Sequence, residues 1–138
     1  MQGTPWNFNS TDKEIVGYIL HKPKRFRDYG VNESKELLIY LIMLYPTLGI
    51  KDIPPNPQIE LLRDMILSEY PTFNYYEFNK AITMGVMGNL EVENNPYQAL
   101  TPMYISNIIK AYKTKRQLVF QKFKKSQAKI LREKPTEN

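Results

Sequence analysis

The sequence predicts an all-α, single-domain bundle of about five helices with a long, projecting, basic C-terminal helix. Three observations carry this expectation. Ten prolines and a series of capping patterns cut the 138 residues into pieces of helical length. Within most pieces apolar residues recur at i, i+3 and i+4, the spacing that gives a helix one buried face. The last piece turns basic partway along: ten Lys or Arg between Lys110 and Asn138 face only Glu133 and Glu137, while residues 1–109 hold nine basic and twelve acidic residues. The tail thus carries +8 and the body −3, within an overall charge of +5.

The first piece opens with Thr11-Asp12-Lys13-Glu14, the Thr-x-x-Glu form of a capping box. It predicts a helix to about Lys22, with Ile15, Tyr18 and Ile19 on one face and Pro23 as its stop. Asn32 or Ser34 caps a second helix from about Glu33 to Tyr45, whose second half is apolar all round, the pattern of a helix buried at the centre of a bundle. Pro46, Gly49 and Pro54-Pro55-Asn56-Pro57 make a stiff connection, and Pro57 suits the first position of a third helix to about Glu69, which Pro71 ends. Ile59, Leu62 and Met65 or Ile66 mark its buried side.

Asn74 with Glu77 forms a cap-like pair at the start of the fourth helix. Phe73 and Phe78 have the spacing of a hydrophobic staple, and the helix runs to about Met87 with Gly88-Asn89 as its stop. Leu90 to Leu100 reads as an irregular loop, with brief pairing as a strand the alternative. Thr101 then caps and Pro102 starts the last helix, which if unbroken to Glu133 is on the order of 48 Å long. A compact chain of this length is roughly 37 Å across, so the end projects. The apolar stripe Ile105, Ile108, Ile109, Tyr112, Val119, Phe120 and Phe123 gives way to polar Ser126 and Gln127. The expected division is a bundle over residues 1–123 and a basic arm, partly helical or disordered, over 124–138.

The composition narrows the chemistry. A hydrophobic fraction of 42% with 24% charged residues is that of a folded globular chain. The absence of cysteine removes disulfides, thiolate metal sites and thiol nucleophiles. No stretch approaches the roughly 20 apolar residues of a membrane helix, and Met1-Gln2-Gly3-Thr4-Pro5-Trp6 has no signal-peptide pattern, so a cytoplasmic protein without membrane association is expected. His21 is the single histidine and falls at a helix end, where an imidazolium is favoured electrostatically. Glu91 and Glu93 suit a solvated loop, and the other carboxylates are scattered. Gly85-Val86-Met87-Gly88 has the GxxG form of a backbone clamp, but its place at the tail of an amphipathic helix points to close packing and a helix stop. The sequence therefore predicts no enzyme, no cofactor and no metal.

Two basic groups remain. One is the arm's Lys113, Lys115, Arg116, Lys122, Lys124, Lys125 and Lys129; the other is Lys22, Lys24, Arg25 and Arg27 around Pro23. Lysine-rich surfaces suit contact with backbone phosphates with little sequence preference. The stretch Leu100-Thr101-Pro102-Met103-Tyr104-Ile105-Ser106-Asn107-Ile108-Ile109-Lys110-Ala111-Tyr112-Lys113, following Ala81-Ile82-Thr83-Met84-Gly85 and a Gly88-x-Leu90 break, resembles a pattern in small helical proteins of phage and mobile-element replication modules. The resemblance covers about residues 74–116. It implies a DNA-binding or helicase-loader accessory of DNA replication, acting in the host cytoplasm. The alternative expectation is a protein-interaction or virion-assembly module, in which Phe120, Phe123, Ile130 and Leu131 dock the last helix on a replication or virion partner.

Overall fold

The computed structural model describes residues 9–92 and 100–133. They form an all-α single-domain bundle of five helices: α1 (Ser10–His21), α2 (Val31–Thr47), α3 (Asn56–Glu69), α4 (Tyr75–Val86) and α5 (Pro102–Glu133), with a short 3₁₀ turn at Phe26–Asp28 between α1 and α2.

Local chemistry sets the ends of each helix. Asn9, rather than the expected Thr11, caps α1: its side-chain oxygen accepts the Asp12 N–H at 2.8 Å. An Asn is at least as good a cap as a Thr, and the earlier start frees Glu14 to reach Lys80 on α4 at 2.7 Å. The helix closes at Lys22, whose left-handed backbone (φ 49°) is one that an L residue adopts only under constraint; Pro23 follows and cannot continue the helix.

Gly30, not Asn32 or Ser34, caps α2. The Glu33 carboxylate turns back to accept the Gly30 N–H at 2.6 Å, which is half of a capping box. The helix also runs two residues past Tyr45, through Pro46 to Thr47, with the Thr47 hydroxyl donating to the Met43 carbonyl at 2.8 Å. Its second half is not buried all round. Leu37, Leu41, Leu44 and Tyr45 are in the core, yet Ile39 and Met43 are each 60% exposed, because α2 packs on α3 and lays Tyr40 against α4 while its remaining side faces solvent.

In α3 the helix begins at Asn56, placing Pro57 second, and Ile59, Leu62 and Ile66 face inward. The α4 cap is as expected: the Asn74 side chain accepts the Glu77 N–H at 2.9 Å, and both staple residues, Phe73 and Phe78, are buried. The end of α4 closes where Gly88 takes φ 79° and Asn89 N–H returns to the Met84 carbonyl at 2.8 Å. The expected loop Leu90 to Leu100 lies outside the described residues from 93 to 99. Thr101 then caps α5 by accepting the Tyr104 N–H at 3.1 Å.

Residue pairs fix how the helices run. A Cβ on Gly85 would meet Ile108, and Glu77 binds Tyr112 and Arg116, so α4 and α5 are antiparallel. Glu14 with Lys80 and Tyr18 with Tyr76 make α1 and α4 antiparallel as well. It follows that α1 runs parallel to α5, in agreement with the approach of Asp12 to Lys115. Ile15, Leu41, Ile59, Phe78, Ile82, Ile105, Ile108 and Tyr112 meet in one core. Among the described residues no helix is long and apolar enough to cross a membrane.

Candidate nucleic-acid interface

The basic residues of α5 divide into those that hold the fold and those that leave it free. Arg116 belongs to the first group. Its Nε donates to Glu77 Oε1 at 2.6 Å, and the Tyr112 hydroxyl donates to the same oxygen at 2.9 Å; Asn74 Nδ2 reaches the other carboxylate oxygen at 3.4 Å. Glu77 is buried, and a buried carboxylate is tolerable only with partners of this kind. Burial, then the Glu77 charge and hydrogen bond, push the Tyr112 phenol well above its ordinary range. Lys115 serves Asp12 in the same manner. Asp12 is buried and its Oδ1 takes no hydrogen bond among the described residues, so the Lys115 ammonium at 3.7 Å is its electrostatic compensation.

Lys113 lies over the rings of Phe73 and Tyr70, at 5.6 and 5.9 Å from the centroids. These cation–π contacts leave its head exposed. Lys124 sits 5.5 Å over Phe120, which stacks on Phe123 at 6.2 Å and 21°. Phe120 and Phe123 are half-buried on the docked side of the helix, whereas Leu131 and, to a lesser degree, Ile130 are exposed. Of the partner-docking set expected from sequence, only the last two project.

The packed part of α5 extends further than the apolar stripe indicates. Ser126 is 6% exposed even though its polarity suggested the start of a free arm. With Asp12 beside Lys115, the remaining nine residues of α1 extend about 13 Å and reach the level of about Lys124, more than a turn beyond Val119. The helix itself continues without a break to Glu133. Past Ser126 the described side chains are all exposed. Lys122, Lys125, Lys129 and Arg132, spaced three, four and three residues apart, share one face of this segment. Lys125, Lys129 and Arg132 have no acidic partner among the described residues. Sequence reasoning omitted Arg132 from the contact set, although its position three residues after Lys129 was the available signal.

The second basic group lies at the same end of the bundle. The chain from Lys22 to Asp28 follows the C-terminal end of α1 and is tied to the start of α4: Phe26 N–H donates to the Phe73 carbonyl at 2.7 Å and Arg27 N–H to the Pro71 carbonyl at 3.0 Å. α1 ends, α4 begins and α5 overhangs at this one pole, and Lys22, Arg25 and Arg27 are all exposed there. Lys24 is partly engaged, with its ammonium 3.3 Å from Glu33. The Gly30 N–H and Lys24 hold the Glu33 carboxyl below its usual range.

The remaining motifs resolve into structure. His21 is exposed in the last turn of α1. Gly85 is the close-packing point of α4 on α5, and Gly88 is the helix stop. Among the described residues no three His, Asp or Glu side chains gather as metal ligands. Comparison of the chain with protein-family models, with curated proteins and with solved structures finds no match.

Proposed function

We propose that this chain is a non-enzymatic nucleic-acid-binding accessory protein, of the kind used in phage-type DNA replication in a host cytoplasm, and that it grips backbone phosphates at the pole where α5 overhangs. The observation that supports this reading is that two basic groups, remote in sequence, both lie at one end of a body that is otherwise slightly acidic. Lys125, Lys129 and Arg132 on α5, with Arg25 and Arg27 beside α4, form the core of the contact, Lys122, Lys124 and Lys113 its flank. Lys115 and Arg116 contribute through the fold, not by direct contact.

Anisotropy titration of the full chain with labelled DNA tests the proposal. About five phosphate contacts lower affinity roughly 100- to 1,000-fold between 50 and 200 mM salt. Lys125→Glu with Lys129→Glu should weaken binding on every sequence; binding that ignores both salt and charge reversal would refute phosphate contact. A second reading, docking of the α5 end on a protein partner, is favoured by the 70% exposure of Leu131. In that case Leu131→Ala would abolish capture of the partner while charge reversal mainly slowed association.

A further inference from the structure

A tyrosine-lined groove adjoins the basic pole, and the phosphate contacts make no use of it. It encloses about 540 Å³ between α2, the Pro23–Tyr29 connection and the first turn of α4, and its lining includes Tyr29, Tyr40, Tyr75 and Tyr76 together with Lys24 and Glu36. Tyr76 is 53% exposed and is the one exposed side chain among the described Phe and Tyr residues. It is nevertheless held in place. Tyr18 stacks on it at 5.9 Å and 21°, and Tyr75 meets it edge-on at 5.6 Å; Tyr75 is in turn braced edge-on by Tyr40 at 5.2 Å. An aromatic platform that is already ordered loses little freedom when a second flat ring settles on it.

We propose that this groove takes an unpaired nucleobase stacked on Tyr76, so that the polyanion gripped at this pole is a single strand. The inference rests on the phosphate-contact reading and names the strand form it binds. Three features favour a base as the occupant. The π-face of a base is available to a side chain only when the base is unstacked, and an exposed, braced ring answers that need. Lys24 lies in the lining, with Arg25 next to it and Lys22 two residues before it in the chain, so a backbone leaving the groove passes directly to the basic pole. Glu33 is already neutralised by Gly30 N–H and Lys24, whereas Glu36 makes no hydrogen bond or ion pair among the described residues. Its carboxylate is placed to accept from an exocyclic amino group, which cytosine, adenine and guanine carry and thymine lacks.

The test uses the full chain with fluorescein-labelled oligo(dC), oligo(dT) and duplex DNA, each about 12 nucleotides long, at low salt. Oligo(dC) should bind more tightly than oligo(dT) or duplex. Tyr76→Ala should weaken oligo(dC) binding roughly tenfold, Tyr76→Phe should retain it, and Glu36→Gln should narrow the gap between dC and dT. Unchanged binding by Tyr76→Ala, with Lys125→Glu and Lys129→Glu still weakening it, would overturn the groove assignment and leave the phosphate contacts standing. No binding of any oligonucleotide by the wild-type chain would overturn both. A proline-rich peptide that binds wild type but not Tyr76→Ala, with oligonucleotide binding indifferent to that substitution, would also overturn the assignment and give the groove to a protein ligand.

Discussion

Gly85 is the point at which α4 comes closest to α5, and replacing it isolates the cost of that approach. In Gly85→Ala the new methyl carbon would stand 2.8 Å from both Cδ1 and Cγ1 of Ile108 and 3.0 Å from its Cγ2, against an ordinary carbon contact of about 3.5–4.0 Å. Ile108 is fully buried and its near atoms include the branch point side of the chain, so it cannot swing clear. Overpacking of this kind costs about 1–3 kcal/mol, while exchange of a helical Gly for Ala returns about 0.5–1 kcal/mol. The expected net loss is about 1 kcal/mol and at most about 2.5 kcal/mol, or a fall in Tm of roughly 3–8 °C for a domain of this size. Removing the obstacle should reverse the sign. Ile108→Ala alone costs about 2–5 kcal/mol, but on that background Gly85→Ala keeps the helix gain, fills part of the cavity and stabilises. Chemical denaturation of the four proteins, wild type, both single variants and the double, closes the cycle. A Gly85→Ala protein more stable than wild type, or the same change on both backgrounds, would refute the close-packing assignment and reopen the backbone-clamp reading of Gly85-x-x-Gly88.

Three further outcomes are expected. Glu77→Ala should lose about 2–4 kcal/mol in urea denaturation, because it strands the buried Tyr112 hydroxyl and deprives a partly exposed Arg116 of its partner; a loss below about 0.5 kcal/mol would deny the network a structural role. Burial raises the phenols of Tyr40 and Tyr112 above the ordinary value of 10.0, so the folded state holds these protons more tightly than the unfolded chain. Their contribution is complete below about pH 10 and declines as pH rises beyond it; Tm measured from pH 8 to 11 should fall at the alkaline end, and less steeply for Tyr112→Phe. Truncation after Gln127 should leave Tm within about 2 °C of wild type, since the described side chains it removes are exposed, whereas truncation after Phe123, which also removes buried Ser126, should lower it measurably.

Much of the fold was legible because local signals agreed with one another. Thr101-Pro102 announced the start of α5, and Asn74, Glu77, Phe73 and Phe78 announced α4, since cap, staple and apolar spacing all placed the boundary at the same residues. Thr11-x-x-Glu14 misled because two valid cap patterns overlap and only tertiary contact, Glu14 with Lys80, decides between them. The apolar half of α2 suggested full burial because periodicity cannot report how many neighbours a helix has. The candidate site was read as charge alone, which made every lysine and arginine of α5 equivalent. Lys115 and Arg116 differ from the rest because their carboxylates are remote in sequence, Glu77 lying 39 residues away. A trace was present: Arg116 falls one turn after Tyr112 on the apolar stripe, and Glu77 adjoins Phe78 on the buried face of α4. Two opposite charges each set among core positions imply that they meet.

The parallel contact of α1 with α5 has a consequence for how the chain reaches this structure. Residues of α1 and their α5 partners are separated by about a hundred positions, as with Asp12 and Lys115, so the loop closed by this pairing spans most of the described chain. Contacts of such sequence separation form late, after the entropy of closing the loop has been met. On a ribosome, α2 and α3 can pair as soon as both have emerged, while the inner faces of α1 and α4 remain uncovered until α5 is made. At about 5–20 residues per second that interval lasts several seconds, during which Ile15, Phe78 and Ile82 are open to other chains. Assembly is therefore closed by the same helix that carries the basic end, and a chain that has not finished α5 has neither a complete core nor the exposed basic face of Lys125, Lys129 and Arg132.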